Sequence, residues 1–207
     1  MKICEMFRSI QGEGMMIGSV TYFIRAAGCN LSCSWCDTQY SNVGGDELSV
    51  KEIIERVKDE KNICITGGEP LLQDDIYELI DPLLSKGKRI VIETNGSVDI
   101  SRIPVSDNVM ISMDIKCPSS GMTDKMNISN LAYLKATDQL KFVIAGENDL
   151  EYAVSFIDAH EVKCEIIFTP VGGMDIEPLA EEIIERNINV RVLPQLHKII
   201  WGDRRAV

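Results

Sequence analysis

Short apolar runs alternate with amphipathic stretches along nearly all of this 207-residue chain. Runs over 21–26, 62–66, 89–93, 109–113, 140–144 and 165–168 are rich in Val, Ile and Phe. Several stop at Gly or Pro, as buried strands do. A further run over 190–193 reads as another short strand. Helical patterns lie between them. Ser49 and Glu52 form a capping box ahead of Ile53, Ile54 and Val57. Other helices are expected over 72–86, from 148 to about 160, and over 176–187, with a shorter one over 128–135. Strands alternating with helices require crossover connections, hence a parallel sheet with ligands at its C-terminal strand ends. The chain is short of the ~250 residues of a closed eight-stranded barrel. Six or so strands therefore predict an α/β fold, a partial, open (β/α)6-type barrel. A single domain over 1–207 is expected, with 1–18 as a short N-terminal substrate-binding segment.

The net charge of -11 gives no general attraction to phosphate backbones or anionic bilayers, so neither nucleic acid nor membrane is an expected partner. The N-terminus lacks the apolar core of a secretion signal, and no apolar run approaches the ~20 residues of a membrane span. A cytoplasmic protein is expected. Seven cysteines then do not suggest a disulfide framework. Cys64 and Cys164 sit in apolar runs and read as small buried hydrophobes, and Cys4 reads similarly. Cys117 follows a polar turn signal and reads as exposed.

Cys29, Cys33 and Cys36 are different. They crowd into Gly28-Cys29-Asn30-Leu31-Ser32-Cys33-Ser34-Trp35-Cys36-Asp37, a loop directly after the run at 21–26. Thiolates at C-x3-C-x2-C spacing can wrap one iron–sulfur centre. Structural zinc wants four ligands, and no fourth lies near in sequence. Three thiolates leave one metal position open to a ligand.

This loop resembles the radical S-adenosylmethionine superfamily. That resemblance implies a 4Fe-4S cluster whose open iron is chelated by S-adenosylmethionine, and reductive cleavage that yields a 5′-deoxyadenosyl radical. The cofactor carries such chemistry while the protein positions and shields it. Thr66-Gly67-Gly68-Glu69-Pro70 looks like the superfamily's Gly-Gly-Glu-Pro motif, which contacts the S-adenosylmethionine amine. Glu93-Thr94-Asn95-Gly96 and Ser112-Met113-Asp114-Ile115-Lys116 also end strands, as does Thr169-Pro170. Asn95, Ser112, Asp114 and Lys116 offer hydrogen bonds to a ribose or a carboxylate.

Other segments bear on the substrate. Ser9-Ile10-Gln11-Gly12-Glu13-Gly14 carries groups that can pair with an amino-pyrimidinone edge, although taken alone it is better explained as an ordinary glycine-containing turn. Arg25 lies in an apolar strand. It must be paired, either with a substrate carboxylate or with one of the 32 acidic residues of the chain. Together with Phe7–Gly14, Cys36-Asp37-Thr38 and the Gln195-Leu196-His197-Lys198 tail, the chain resembles the 7-carboxy-7-deazaguanine synthase family over nearly its whole length.

The family resemblance implies conversion of a 6-carboxytetrahydropterin to 7-carboxy-7-deazaguanine with loss of ammonia. It assigns Ile10, Gln11, Gly12, Glu13, Arg25, Thr66 and His197 to the pterin. It assigns Trp35, Gly67, Gly68, Glu69, Asn95, Ser112, Asp114, Lys116, Thr169 and Pro170 to S-adenosylmethionine. Thr38 matches a Mg2+ ligand that binds only with substrate present. A homodimer and a flavodoxin- or ferredoxin-type electron donor are likewise implied. Three rivals stay open at this level: a glycyl-radical activating enzyme, an iron–sulfur electron carrier, and a zinc-binding interaction module.

Overall fold

The computed structural model describes residues 1–207. One nine-stranded sheet organises them, in the order β3-β1-β2-β4-β5-β6-β7-β8-β9. The strands are β1 (Lys2–Ile10), β2 (Val20–Ala26), β3 (Asp46–Glu47), β4 (Asn62–Gly67), β5 (Arg89–Thr94), β6 (Val109–Ile115), β7 (Gln139–Ile144), β8 (Glu165–Pro170) and β9 (Arg191–Val192). From β2 onward the neighbours are parallel. β1 and β3 add an antiparallel edge, and the sheet stays open. The expected partial barrel is therefore present.

Strand alternation divides the side chains between two faces. On one face Ile24, Ile63, Ile65, Ile90, Ile92, Met113, Leu140, Phe142 and Phe168 form the main core. The helices α1 (Val50–Arg56), α2 (Asp75–Ser85), α3 (Glu147–Ala159) and α4 (Glu177–Glu185) contribute Ile53, Ile76, Leu79, Ile80, Leu83, Leu150, Phe156 and Ile183 to it. On the other face Phe23, Cys64 and Val91 form a small apolar patch, joined by Phe7, Met16 and Met110. The next residue outward on the same face of each strand is polar: Arg25, Thr66, Glu93 and Ser112. Arg25, Thr66 and Glu93 become the floor of the site, with Ser112 beneath it.

Local chemistry sets the helix ends. Ser49 accepts from the Glu52 backbone N–H while Glu52 takes the Ser49 N–H, so the expected capping box opens α1. α2 begins later than expected because Pro70–Leu72 is a separate 3-10 turn.

Several expectations are corrected. Within residues 1–18, Lys2–Ile10 form the edge-side strand β1, for which no strand was expected. The stretch at 128–135 is a 3-10 segment over Ile128–Tyr133, fixed by Asn130, whose amide donates to the Val98 carbonyl. Neither the β5–β6 nor the β6–β7 connection holds an α-helix, so the barrel is less regular than a repeated β/α unit. A short C-terminal helix, α5 (Leu196–Trp201), was not anticipated. Cys117 is fully buried in the main core rather than exposed, and burial pushes its thiol up to about 12. Cys64 is buried as expected, whereas Cys164 and Cys4 are only half-buried.

Candidate functional site

A cavity of about 920 Å³ opens on the polar face, at the C-terminal ends of the parallel strands. Its rim holds Cys29, Cys33 and Cys36, the only cysteines that line it. The loop that carries them leaves β2 and is pinned on both sides. Asn95, just past β5, donates to Asn30 Oδ1 at 3.1 Å and approaches Cys29 Sγ at 3.7 Å. Trp35 donates its indole N–H to Ser119 Oγ at 3.0 Å. Gly68 packs directly against the Gly28 carbonyl and the Cys29 Cβ, where no side chain would fit. Burial pushes the Cys33 and Cys36 thiols up, and the Lys116 ammonium opposes that rise in both.

The donor set suits an iron–sulfur cluster. Three thiols face one cavity, with a cation beside them to balance thiolate charge. No three Cys, His, Asp or Glu side chains converge as they would on a single ion. A four-iron cluster spreads its thiolates more widely than one ion does.

Behind the cysteine loop, Glu69 is fully buried. Its carboxylate accepts from the Leu71 N–H at 3.0 Å, the Asn95 N–H at 2.6 Å and the Thr94 hydroxyl at 3.0 Å. Burial raises its pKa to about 7 despite those donors. Glu69 thus ties the Gly67-Gly68 turn to the end of β5 and does not line the cavity. Ser112 and Thr169 also lie beneath the lining. Ser112 Oγ accepts from Gln139 Nε2 at 2.7 Å. Trp35, Gly67, Gly68, Asn95, Asp114, Lys116 and Pro170 do line it, as does Thr38, whose hydroxyl donates to Asp37 Oδ1 at 2.8 Å.

The remaining wall belongs to the two chain ends. Ile10, Gln11, Gly12, Glu13, Arg25, Thr66 and His197 all line the cavity. The Leu196 N–H donates to the Gly12 carbonyl at 2.8 Å, and His197 packs against the Gly12 Cα, where a Cβ would collide. Arg25 faces Glu5 across the β1–β2 register and donates to Glu5 Oε1 at 2.8 Å. The internal salt bridge is therefore formed, although only the Arg25 Nε is used in it. Tyr40 donates to the same Glu5 oxygen, at 2.8 Å.

The model of the Radical SAM superfamily matches residues 23–141, more than half of the chain. A protein of Thermoplasma acidophilum is 43% identical over 98% of both chains, and bears the name 7-carboxy-7-deazaguanine synthase. One of Methanospirillum hungatei with the same name is 47% identical, over 97% of this chain and 85% of its own. The chain belongs to the 7-carboxy-7-deazaguanine synthase family. It is thus a radical S-adenosylmethionine enzyme, and membership implies a 4Fe-4S cluster and S-adenosylmethionine. The crystal structure of QueE from Escherichia coli is similar at a TM-score of 0.75 and 25% identity, covering 95% of this chain and 94% of that one.

Within the 7-carboxy-7-deazaguanine synthase frame, several cavity residues escaped sequence reasoning. Glu93 accepts from Gln11 Nε2 at 3.0 Å. Lys141 pairs with Glu13 and Asp114, and Gln195 donates to Glu13 Oε1 at 2.6 Å. Glu5 and Lys141 had a legible signal: each is a charge set among apolar neighbours in a strand, as Arg25 is. Residues 202–207 also line the cavity, with the Arg205 guanidinium 3.9 Å over the Tyr40 ring. Nothing in their sequence marks them as a roof.

Proposed function

We propose that this chain is a lyase that converts 6-carboxy-5,6,7,8-tetrahydropterin to 7-carboxy-7-deazaguanine and ammonia, a step of 7-deazapurine biosynthesis that feeds tRNA modification. The observation that carries this reading is a single cavity with three thiols at its rim and a polar floor behind them. Arg25 lies on that floor, and residues 10–13 and 195–197 close its wall. Full-length relatives with that name support it. The whole chain acts as one domain.

When bound, the cluster and S-adenosylmethionine supply a 5′-deoxyadenosyl radical. The chain's own residues hold and orient. Cys29, Cys33 and Cys36 would ligate the iron of the cluster. Gly67 and Gly68 offer backbone, while Trp35, Asn95, Asp114, Lys116 and Pro170 flank the S-adenosylmethionine side, and Glu69, Ser112 and Thr169 support it from beneath. The free guanidinium nitrogens of Arg25 take the substrate carboxylate, because a planar fork suits it. Ile10, Gln11, Gly12, Glu13, Thr66 and His197 surround the pterin ring. The roof over 202–207 limits water, which protects reactive intermediates.

Thr38, with Asp37 beside it, would offer oxygen to Mg2+ once substrate is bound. Half-buried Met15, Met16 and Ile17 are compatible with a homodimer. No helix is long and apolar enough to cross a membrane. A cytoplasmic enzyme fed by a flavodoxin- or ferredoxin-type donor fits this reading.

The test is anaerobic turnover of reconstituted protein with S-adenosylmethionine, Mg2+ and 6-carboxytetrahydropterin, followed by mass spectrometry. Formation of 7-carboxy-7-deazaguanine is expected. Only 5′-deoxyadenosine would remove the substrate assignment. Arg25→Ala should weaken pterin binding by roughly 10- to 100-fold, the scale of a lost charge-assisted hydrogen bond. It should leave substrate-free cleavage of S-adenosylmethionine near wild type. Equal losses in both assays would refute the carboxylate role.

A further inference from the structure

Lys141 is a charged residue in the middle of a buried strand. Its neighbours Leu140 and Phe142 enter the helix-side core, so alternation aims Lys141 into the cavity. Its side chain is only 8% exposed. The ammonium forms an ion pair with Glu13 and lies 3.5 Å from Asp114 Oδ1. Register explains the second contact, since Asp114 and Lys141 are partners across β6 and β7.

Each carboxylate is also held from its far side. Gln195 Nε2 donates to Glu13 Oε1 at 2.6 Å, and Lys116 Nζ reaches Asp114 Oδ2 at 2.7 Å. Lys116 in turn lies 5.5 Å from the Trp35 ring in the cysteine loop. An unbroken row of alternating partners thus crosses the cavity wall, from the C-terminal segment to the cluster loop.

We propose that Lys141 is a positioning residue, which fixes Glu13 as an acceptor for the donor edge of the substrate. This rests on the pterin reading above. Two oxygens held by two donors leave Glu13 one rotamer, and each oxygen of this cavity-lining side chain keeps further acceptor capacity. Burial alone would raise the Glu13 carboxyl, and the Lys141 ammonium overrides it, so its pKa is lowered. An ionised carboxylate accepts only. That matches an amino group beside a ring N–H, the donor edge of an amino-pyrimidinone. Without Lys141, Glu13 would lose its fixed rotamer and part of its charge compensation.

The test is equilibrium binding on the reconstituted full chain. The probes are 6-carboxypterin, which does not turn over, and S-adenosylmethionine, with iron content as a control. Lys141→Met should weaken 6-carboxypterin binding by about 30-fold, the scale of a charge-assisted hydrogen bond, with S-adenosylmethionine binding changed by less than about threefold. In turnover, KM should rise more than kcat falls. Lys141→Arg keeps a cation and should recover most of the affinity. Unchanged pterin binding in Lys141→Met, or equal loss of both ligands, would overturn the proposal. If Lys141→Met does not fold, Gln195→Leu frees Glu13 from the other side. It should weaken the pterin by about 5- to 10-fold, as loss of one neutral hydrogen bond does. No change there overturns the proposal as well. A wild-type protein that binds S-adenosylmethionine but no 6-carboxypterin would remove the function reading and this inference together.

Discussion

Cys33→Ala is expected to yield a folded protein without its cluster and without turnover. Cys33 sits half-buried on the cavity rim, in a loop outside both apolar clusters. Removing a sulfur there leaves no core cavity, so the apo-protein should lose less than about 1 kcal/mol. The cluster has no such tolerance. Only three thiols face the cavity, and loss of one leaves two ligands for four irons. Iron and sulfide analysis should find almost none, and product formation should fall below detection. Cys117→Ala is the matching control. Cys117 lies in the core, off the cavity, and its alanine variant should keep full iron content. Cluster loss in Cys117→Ala as complete as in Cys33→Ala would point to a fourth thiolate. That result would revive the electron-carrier reading, because carriers use four protein thiolates.

The second large effect is expected at Glu69. Glu69→Ala strands the Leu71 N–H, the Asn95 N–H and the Thr94 hydroxyl in a dry environment. Unsatisfied buried donors cost about 1–3 kcal/mol each, so a loss of about 4 kcal/mol is expected. That is a large share of the ~5–15 kcal/mol by which domains are stable. Urea unfolding of the apo-protein measures it. A loss below 1 kcal/mol would mean that water reaches these donors.

Glu69 also predicts a pH dependence. Burial raises its pKa from 4.5 to about 7 in the folded chain. Between those values the folded state binds a proton that the unfolded chain does not. Stability from this group is therefore complete below pH 4.5 and is lost as pH rises through 7, by ~3 kcal/mol. The stability of wild type relative to Glu69→Gln should fall across that window, and a flat difference would show that Glu69 stays ionised throughout.

Much of the architecture was legible because parallel strands announce themselves. Val- and Ile-rich runs at β4 to β8 need no partner to be recognised, and their ends fall within a residue or two of expectation. β1 was missed for a different reason. Its Lys2, Glu5 and Arg8 interrupt the apolar pattern, since it lies near the sheet edge and Glu5 faces the cavity rather than a core. The segment at 128–133 failed because its apolar spacing mimics a helix, while Asn130 diverts its backbone into 3-10 turns. The cysteine loop was read by spacing alone, since all its ligands are local. Lys141, Glu5 and the roof were not, because their meaning depends on register across strands or on a tail folding back. Glu69 shows the converse. A motif named it as a ligand residue, yet its position is that of a tether beneath the ligand surface.

The union of Gly12 with Leu196 and His197 bears on the order of assembly. These partners are separated by more than 180 residues. Closing so long a loop is entropically among the last rewards a folding chain can collect. The cysteine loop needs only neighbours from β2, β4 and β5 and the Ser119–Ser120 turn after β6, all within the first 120 residues. A nascent chain could therefore hold its metal-binding rim well before its substrate wall exists. Cluster insertion and substrate competence would then be separable in time, with the second waiting for the final helix to dock.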